Sequence, residues 1–431
     1  IYRGCNNMQK KKILILGGYG GNNVGDDAQL AGSLEVLKSE FPEYTFVVLT
    51  PNLMQTALRH NVEAVALASR NALFDFDISA STYVQWRLPK NKKWLLERYK
   101  TIEEKINCKT SEKLSLLTKR QRDFCENIRT SRLVFYVGGG YLMGPTASRL
   151  WDAALVAEIA NLYNVPLVFS GHNIGIWENS DNKRYAKTLF KNSPLITTRD
   201  RTFSKQDLSE IGIQGDHIYS TCDDALFLDT THEAKKITLL LQKLGLKNED
   251  FVALSFHNQD VIESSLKTLL KSIQKKILII PTCPPDVEVQ KEFCKIHNNE
   301  RIIRIENLLT FRETSELFKR AFFTISTRHH PLIFTLSAGK PCISLNLTEY
   351  FSKKNFGALD LCNISEMSID VDDHSSENVQ LKLERCIKRL TNDMPIYKTL
   401  ITESFYRIRD SKQRFISDLR KILDNSGNHL S

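Results

Sequence analysis

At 431 residues the chain exceeds one ordinary hydrophobic core, so two domains are expected. Its 42% hydrophobic and 25% charged residues are those of a globular protein, and no run approaches 18 apolar residues, so no membrane-spanning helix is expected. The formal charge of +9 suits an anionic small substrate, an anionic lipid surface or nucleic acid, and no RNP-like, zinc-finger or helix-turn-helix signature supports the last of these.

The first residues, "IYRGCNNMQKKK", lack the apolar core of a secretory signal, and Met8 reads as the natural start. The nine cysteines are scattered without CxxC or zinc-ligand spacing, which points to reduced thiols in a cytoplasmic protein. Apolar runs then alternate with helical patterns. "KILIL", "TFVVLT", "LVFYVGGG", "VPLVFSG" and "PLITTRD" read as buried parallel strands of a first unit, and "FVALSFH", "KILIIPT", "FFTIST" and "PCISLNL" as those of a second. This order predicts two doubly wound α/β units, whose ligands bind beyond the carboxyl ends of the strands. A basic helical insertion over about 85–131, with Trp86, Trp94 and Tyr99 among lysines and arginines, interrupts the first unit. It reads as a solvated helical insertion, with a contact to an anionic membrane surface or a substrate lid as the sharper alternatives.

Strand-end loops carry the informative residues. In "ILILGGYGGNNVGDDAQLAGSL", Gly18-x-Gly20 is followed by Asn23 where a dinucleotide fingerprint needs glycine, and Asp26-Asp27 stand where a P-loop needs lysine and a hydroxyl. Neither phosphate-binding reading survives. Asp26 with Gln29 three residues on reads as a helix cap, whereas a glycine-rich backbone and Asp27 suit sugar hydroxyls. In "FFTISTRHHPLIFTLSAGKPCISL", a strand ends at Thr327 and Pro331 opens a helix. Arg328 and His330 thus stand at a strand end and a helix start, which suits a carboxylate or phosphate. "VGGGY" with Gly139, "SGHNIGIWEN" with His172 and Asn173, "ITTRDRTFS" with Arg199, and "LTEYFSKKNFG" with Lys353 and Lys354 repeat the pattern.

These blocks together resemble a family. "GYGGNNVGDDAQL", "VGGGYL", "SGHNIG", "TTRDRTFS", "CDDALFL" and "STRHHPLIFTLSAGKPCISL" are similar, in the same order, to the motifs of the polysaccharide pyruvyl transferases, over roughly Ile13 to Lys354. The resemblance implies a GT-B-like fold, two Rossmann-like domains facing a central cleft: 8–230 on the acceptor side, 231–394 on the donor side, and a helix over 395–425 returning to the first domain. It implies transfer of a pyruvyl group from phosphoenolpyruvate to a sugar of a polysaccharide or lipid-linked precursor, forming a ketal and releasing phosphate, with no metal or other cofactor. His330, Arg328 and Asp27 are then the expected catalytic groups. Arg328, His330, Arg199, Lys353 and Lys354 face the donor, and Gly20, Gly21, Asn23, Asp26, Asp27, Gly139, His172 and Asn173 the acceptor. A cytoplasmic location, with contact at the inner face of the membrane, goes with a lipid-linked acceptor. Two alternatives stay open: a GT-B glycosyltransferase using a nucleotide sugar, and a non-catalytic glycan-binding relative in a polysaccharide-assembly complex.

Overall fold

The computed structural model describes residues 11–66, 119–144, 147–371 and 376–426. Met8, Cys5, Cys108 and most of the basic insertion, with Trp86, Trp94 and Tyr99, lie outside the described residues.

Two sheets form. The first holds β1 (Lys11–Leu16), β2 (Tyr44–Thr50), β3 (Glu63–Ala66), β4 (Leu133–Tyr136), β6 (Leu167–Gly175), β7 (Leu195–Thr198) and β8 (Ile218–Ser220) in the order β3-β2-β1-β4-β6-β7-β8, and β5 (Gly139–Met143) pairs with β6. The second holds β9 (Phe251–Ser255), β10 (Lys276–Ile279), β11 (Ile302–Arg304), β12 (Thr324–Ser326), β13 (Cys342–Asn346) and β14 (Ser368–Asp370) in the order β11-β10-β9-β12-β13-β14. Neighbouring strands pair in parallel, as in β1 with β4 and β9 with β12. Both orders run outward from a first strand, reverse, and run outward the other way, the arrangement of a Rossmann-like sheet.

The nine apolar runs form strands in these two sheets. Edge position explains most of those the sequence concealed. β3, β8, β11 and β14 lie at the sheet margins, where one side stays open and a continuous apolar run is not required. β5 begins at Gly139-Gly140, which carry no apolar signal.

The helix after the glycine loop, Val24–Glu40, starts earlier than the capping-box pattern suggested. Asn23 is the cap, its side chain accepting the Gly25 N–H at 3.0 Å, so Asp26 and Asp27 fall in the first turn. Gln29 turns inward instead, donating to Asp223 at 2.8 Å. The first turn also docks on the second domain, the Val24 N–H donating to the Thr282 carbonyl at 3.1 Å.

One long helix, Met394–Asn425, ties the halves together. Its early residues Met394, Tyr397, Ile401 and Ile408 join the core around β9 and β12, and Phe415, Ile416, Leu419 and Leu423 join a core layer with Ile13, Ile15 and Phe135. No helix among the described residues is long and apolar enough to cross a membrane.

Candidate active site

In open parallel sheets the crevice lies at the carboxyl ends of the strands, where the strand order reverses. In the second sheet that point is between β9 and β12. His257 follows β9 and Arg328 follows β12. The Arg328 guanidinium donates to Asp286 Oδ1 at 2.5 Å and lies 3.0 Å from Cys283 Sγ, both beyond β10. Asp286 is fully buried, and its other oxygen accepts the Thr282 and Cys283 N–H groups at 3.1 and 3.2 Å. A carboxylate so occupied holds the arginine in one orientation. Burial, with the Arg328 charge, lowers the His257 imidazole to about 4, leaving it neutral near pH 7.

At the contact between domains sits Asp223, fully buried. Its Oδ2 accepts from Gln29 at 2.8 Å and from the Arg199 guanidinium, and lies 3.4 Å from His329 Nε2 and 3.8 Å from His330 Nε2. Burial alone raises this carboxyl, but the adjacent Arg199 charge and the His329 contact outweigh it and hold Asp223 well below the usual carboxylate range. Burial lowers His329 to about 3 and His330 well below its ordinary value, so both rings are neutral. The ring of His330 lies on Gly25, where a Cβ would come within 1.9 Å of Nδ1. Only glycine permits that approach. Beside Asp223, Asp224 accepts from Ser33 at 2.6 Å, Ser170 at 2.9 Å and Lys412 of the long terminal helix at 2.5 Å.

Arg199 is fixed on a second side, Nε donating to Asn173 Oδ1 at 2.6 Å, while Asn173 Nδ2 donates to Asp200 at 3.1 Å. Its Nη2 has no hydrogen-bond partner among the described residues and points to Gly140. A Cβ at Gly140 would lie 2.9 Å from the Tyr350 hydroxyl, 3.2 Å from Arg199 Nη2 and 3.3 Å from Lys354 Cδ, so these three groups converge on one spot.

The expected site residues therefore fall into two sets. Arg199, Asn173, Lys354, His330 and the Gly139-Gly140 strand gather around the cleft, with Arg328 at its second-sheet wall. The others face elsewhere. Asp27 is buried and paired with Arg59 at 2.5 Å, with His60 Nε2 at 3.8 Å. His172 is buried among Tyr136, Tyr141 and Phe169, 3.3 Å from the Tyr136 carbonyl, and burial lowers it to about 3. Lys353 reaches Asp207 at 3.5 Å and Glu349 at 3.4 Å. Gly20 adopts φ +90° against Thr50 and Pro51, Asn23 caps its helix and Asp26 is half-buried. Gly21 faces open space. Sequence reasoning missed His257, Asp223, Asp286 and Tyr350. His257 ends "FVALSFH", so the strand-end rule applied to that run finds it.

No curated protein matches the chain. Among solved structures, it resembles the UDP-GlcNAc 2-epimerase of Neisseria meningitidis bound to UDP-GlcNAc at 14% identity, over 95% of this chain and 100% of that one, with a TM-score of 0.58. It resembles Anabaena HepE in complex with UDP at 14% identity, over 96% and 99% of the two chains, with a TM-score of 0.55. A glycosyltransferase from Rickettsia africae ESF-5 matches at 13% identity, over 98% and 100%, with a TM-score of 0.52. At such identity these likenesses establish the GT-B fold alone. The family model for polysaccharide pyruvyl transferase matches residues 23–348, from the cap of the first helix to the strand end beyond Arg328 and His330, and the chain belongs to that family.

Proposed function

We propose that the protein transfers a pyruvyl group from phosphoenolpyruvate to two hydroxyls of a sugar in a polysaccharide or its lipid-linked precursor, on the cytoplasmic side of the membrane and with no cofactor. The convergence of Arg199 Nη2, the Tyr350 hydroxyl and Lys354 beside Gly140, next to the Arg328 crevice, carries this reading. Phosphoenolpyruvate presents a carboxylate and a phosphate on three carbons, and fixed guanidinium and ammonium groups suit both.

The chemistry divides into two steps. A sugar hydroxyl attacks C2 while C3 takes a proton, turning the enol into a methyl-bearing tetrahedral carbon. Phosphate then leaves with its bonding electron pair, a second hydroxyl bonds to C2, and that hydroxyl's proton departs with the phosphate. Arg328, held by Asp286, and Arg199, held by Asn173 and Asp223, bind the anionic groups without reorganising during reaction. His330, neutral because burial removes its charge, offers a hydrogen bond and no transferable charge. The half-exposed glycine loop, with Gly21 open to solvent, borders the acceptor side.

The test incubates the protein with phosphoenolpyruvate and galactoside or mannoside acceptors, reading phosphate release and the glycan mass. The expected product carries a pyruvate ketal, and Arg328→Ala weakens phosphoenolpyruvate binding by at least about tenfold, the scale of one charged hydrogen bond. No product with any acceptor, and unchanged binding in Arg328→Ala, overturns the reading. A nucleotide-sugar glycosyltransferase is the second reading, because two of the solved structures named above hold UDP or UDP-GlcNAc. Thermal stabilisation by UDP and none by phosphoenolpyruvate selects it.

A further inference from the structure

The addition step needs a group that accepts the hydroxyl proton and one that protonates C3. The histidine at the helix start is poorly placed for either, since His330 is buried against Gly25 and Asp223. Another imidazole stands at the crevice itself. To reach Asp286 and Cys283 beyond β10 from the end of β12, Arg328 passes over the end of β9, which lies between those strands. His257 stands there, half-buried, its ring 5.0 Å from that of Phe351.

The ring is held from one side. Thr327 Oγ1 accepts the His257 backbone N–H at 3.2 Å and lies 2.8 Å from Nδ1. With Nδ1–H donated to the second lone pair of that oxygen, Nε2 on the opposite edge keeps its own lone pair. The charges facing the ring are Arg328, Asp286 and Lys354. Burial first, and then the two cations, keep the free ring unprotonated, and a bound anionic donor offsets the cations, raising the ring's basicity when substrate is present.

Resting on the phosphoenolpyruvate reading, the geometry points to His257 as a catalytic residue that takes the proton of the first attacking hydroxyl on Nε2 and returns it to C3. The oxygen–C2 bond forms as the C2=C3 electron pair captures the proton, so the ring is neutral before and after and no further reactant is needed. One neutral base thereby serves as both base and acid of the addition.

The experiment compares the full chain with His257→Ala and His257→Asn, measuring phosphoenolpyruvate binding by thermal shift and turnover with an acceptor that the parent protein converts. The expected result is a fall in kcat of about 100-fold or more with phosphoenolpyruvate affinity within about threefold, and partial rescue of His257→Ala by added imidazole. The fall in kcat of the parent at low pH disappears in both variants. Turnover within threefold of the parent, or a rise in KM with kcat unchanged, overturns the inference while leaving pyruvyl transfer intact. A parent protein that binds no phosphoenolpyruvate and converts no acceptor removes both.

Discussion

The two walls of the cleft handle charge in opposite ways. The first half brings carboxylates to the contact, and each is neutralised inside the fold: Asp27 by Arg59, Asp223 by Arg199, Asp224 by Lys412. The second half brings imidazoles that burial keeps uncharged, His329 and His330, and leaves a half-exposed arginine and histidine at the crevice. The sign of a residue in the sequence is therefore a poor guide to the sign of the surface it helps to build. Acidic residues on this wall hold the interface together, and among them lies a buried arginine with one nitrogen that has no hydrogen-bond partner among the described residues.

Acid is the most severe way to break this arrangement. His172 and His329 titrate near 3 in the fold and near 6.5 unfolded, so the unfolded chain binds more protons between those values and stability falls as pH falls through that window. By pH 4.5 these two rings cost about 5 kcal/mol, and a denaturant titration across pH 7 to 4.5 reads it. Asp223 adds to this trend, and only from about pH 4 downward, because its carboxyl is held low in the fold and the unfolded chain alone takes up that proton.

Breaking the first wall alone is next in size. Asp223→Asn leaves the fully buried Arg199 without its counter-charge, a loss of about 3–5 kcal/mol by the usual cost of orphaning a buried ion. Chemical denaturation measures it. A loss below 1 kcal/mol means that Arg199 is not held by that pair.

The mildest probe is the contact itself. Gly25→Ala inserts a methyl where the His330 ring lies, and overpacking of that kind costs about 1–3 kcal/mol. Gly21→Ala, in the same loop with open space around it, serves as the control and shifts the melting temperature little. Equal shifts in the two variants dissolve the distinction between a docked helix turn and a free loop.

Much of this fold was legible because parallel central strands must be apolar on both faces, as "KILIL" and "FVALS" are. Edge strands such as β11 and β14 escape that demand and left no signal. Arg328 and His330 were visible because a strand end and a helix start can both be read locally. Asp223 and Asp286 were not, since their roles lie in partners 194 and 42 residues away in sequence, Gln29 and Arg328. Asp27 drew attention for its charge, and its partner Arg59 comes from the next helix, Leu53–His60.

The long terminal helix sets an order of events during synthesis. Phe415, Leu419 and Leu423 complete a core layer begun by Ile13 and Ile15, some 400 residues earlier in the chain. At the usual pace of translation those residues emerge roughly 20–80 s later. Until then the first helix alone, through Leu30, Leu34 and Leu37, covers that face of the first sheet, part of it stays open, and Asp224 lacks its lysine. A nascent chain of this protein thus spends its longest exposure half-built, and its dependence on chaperones should concentrate on the first half.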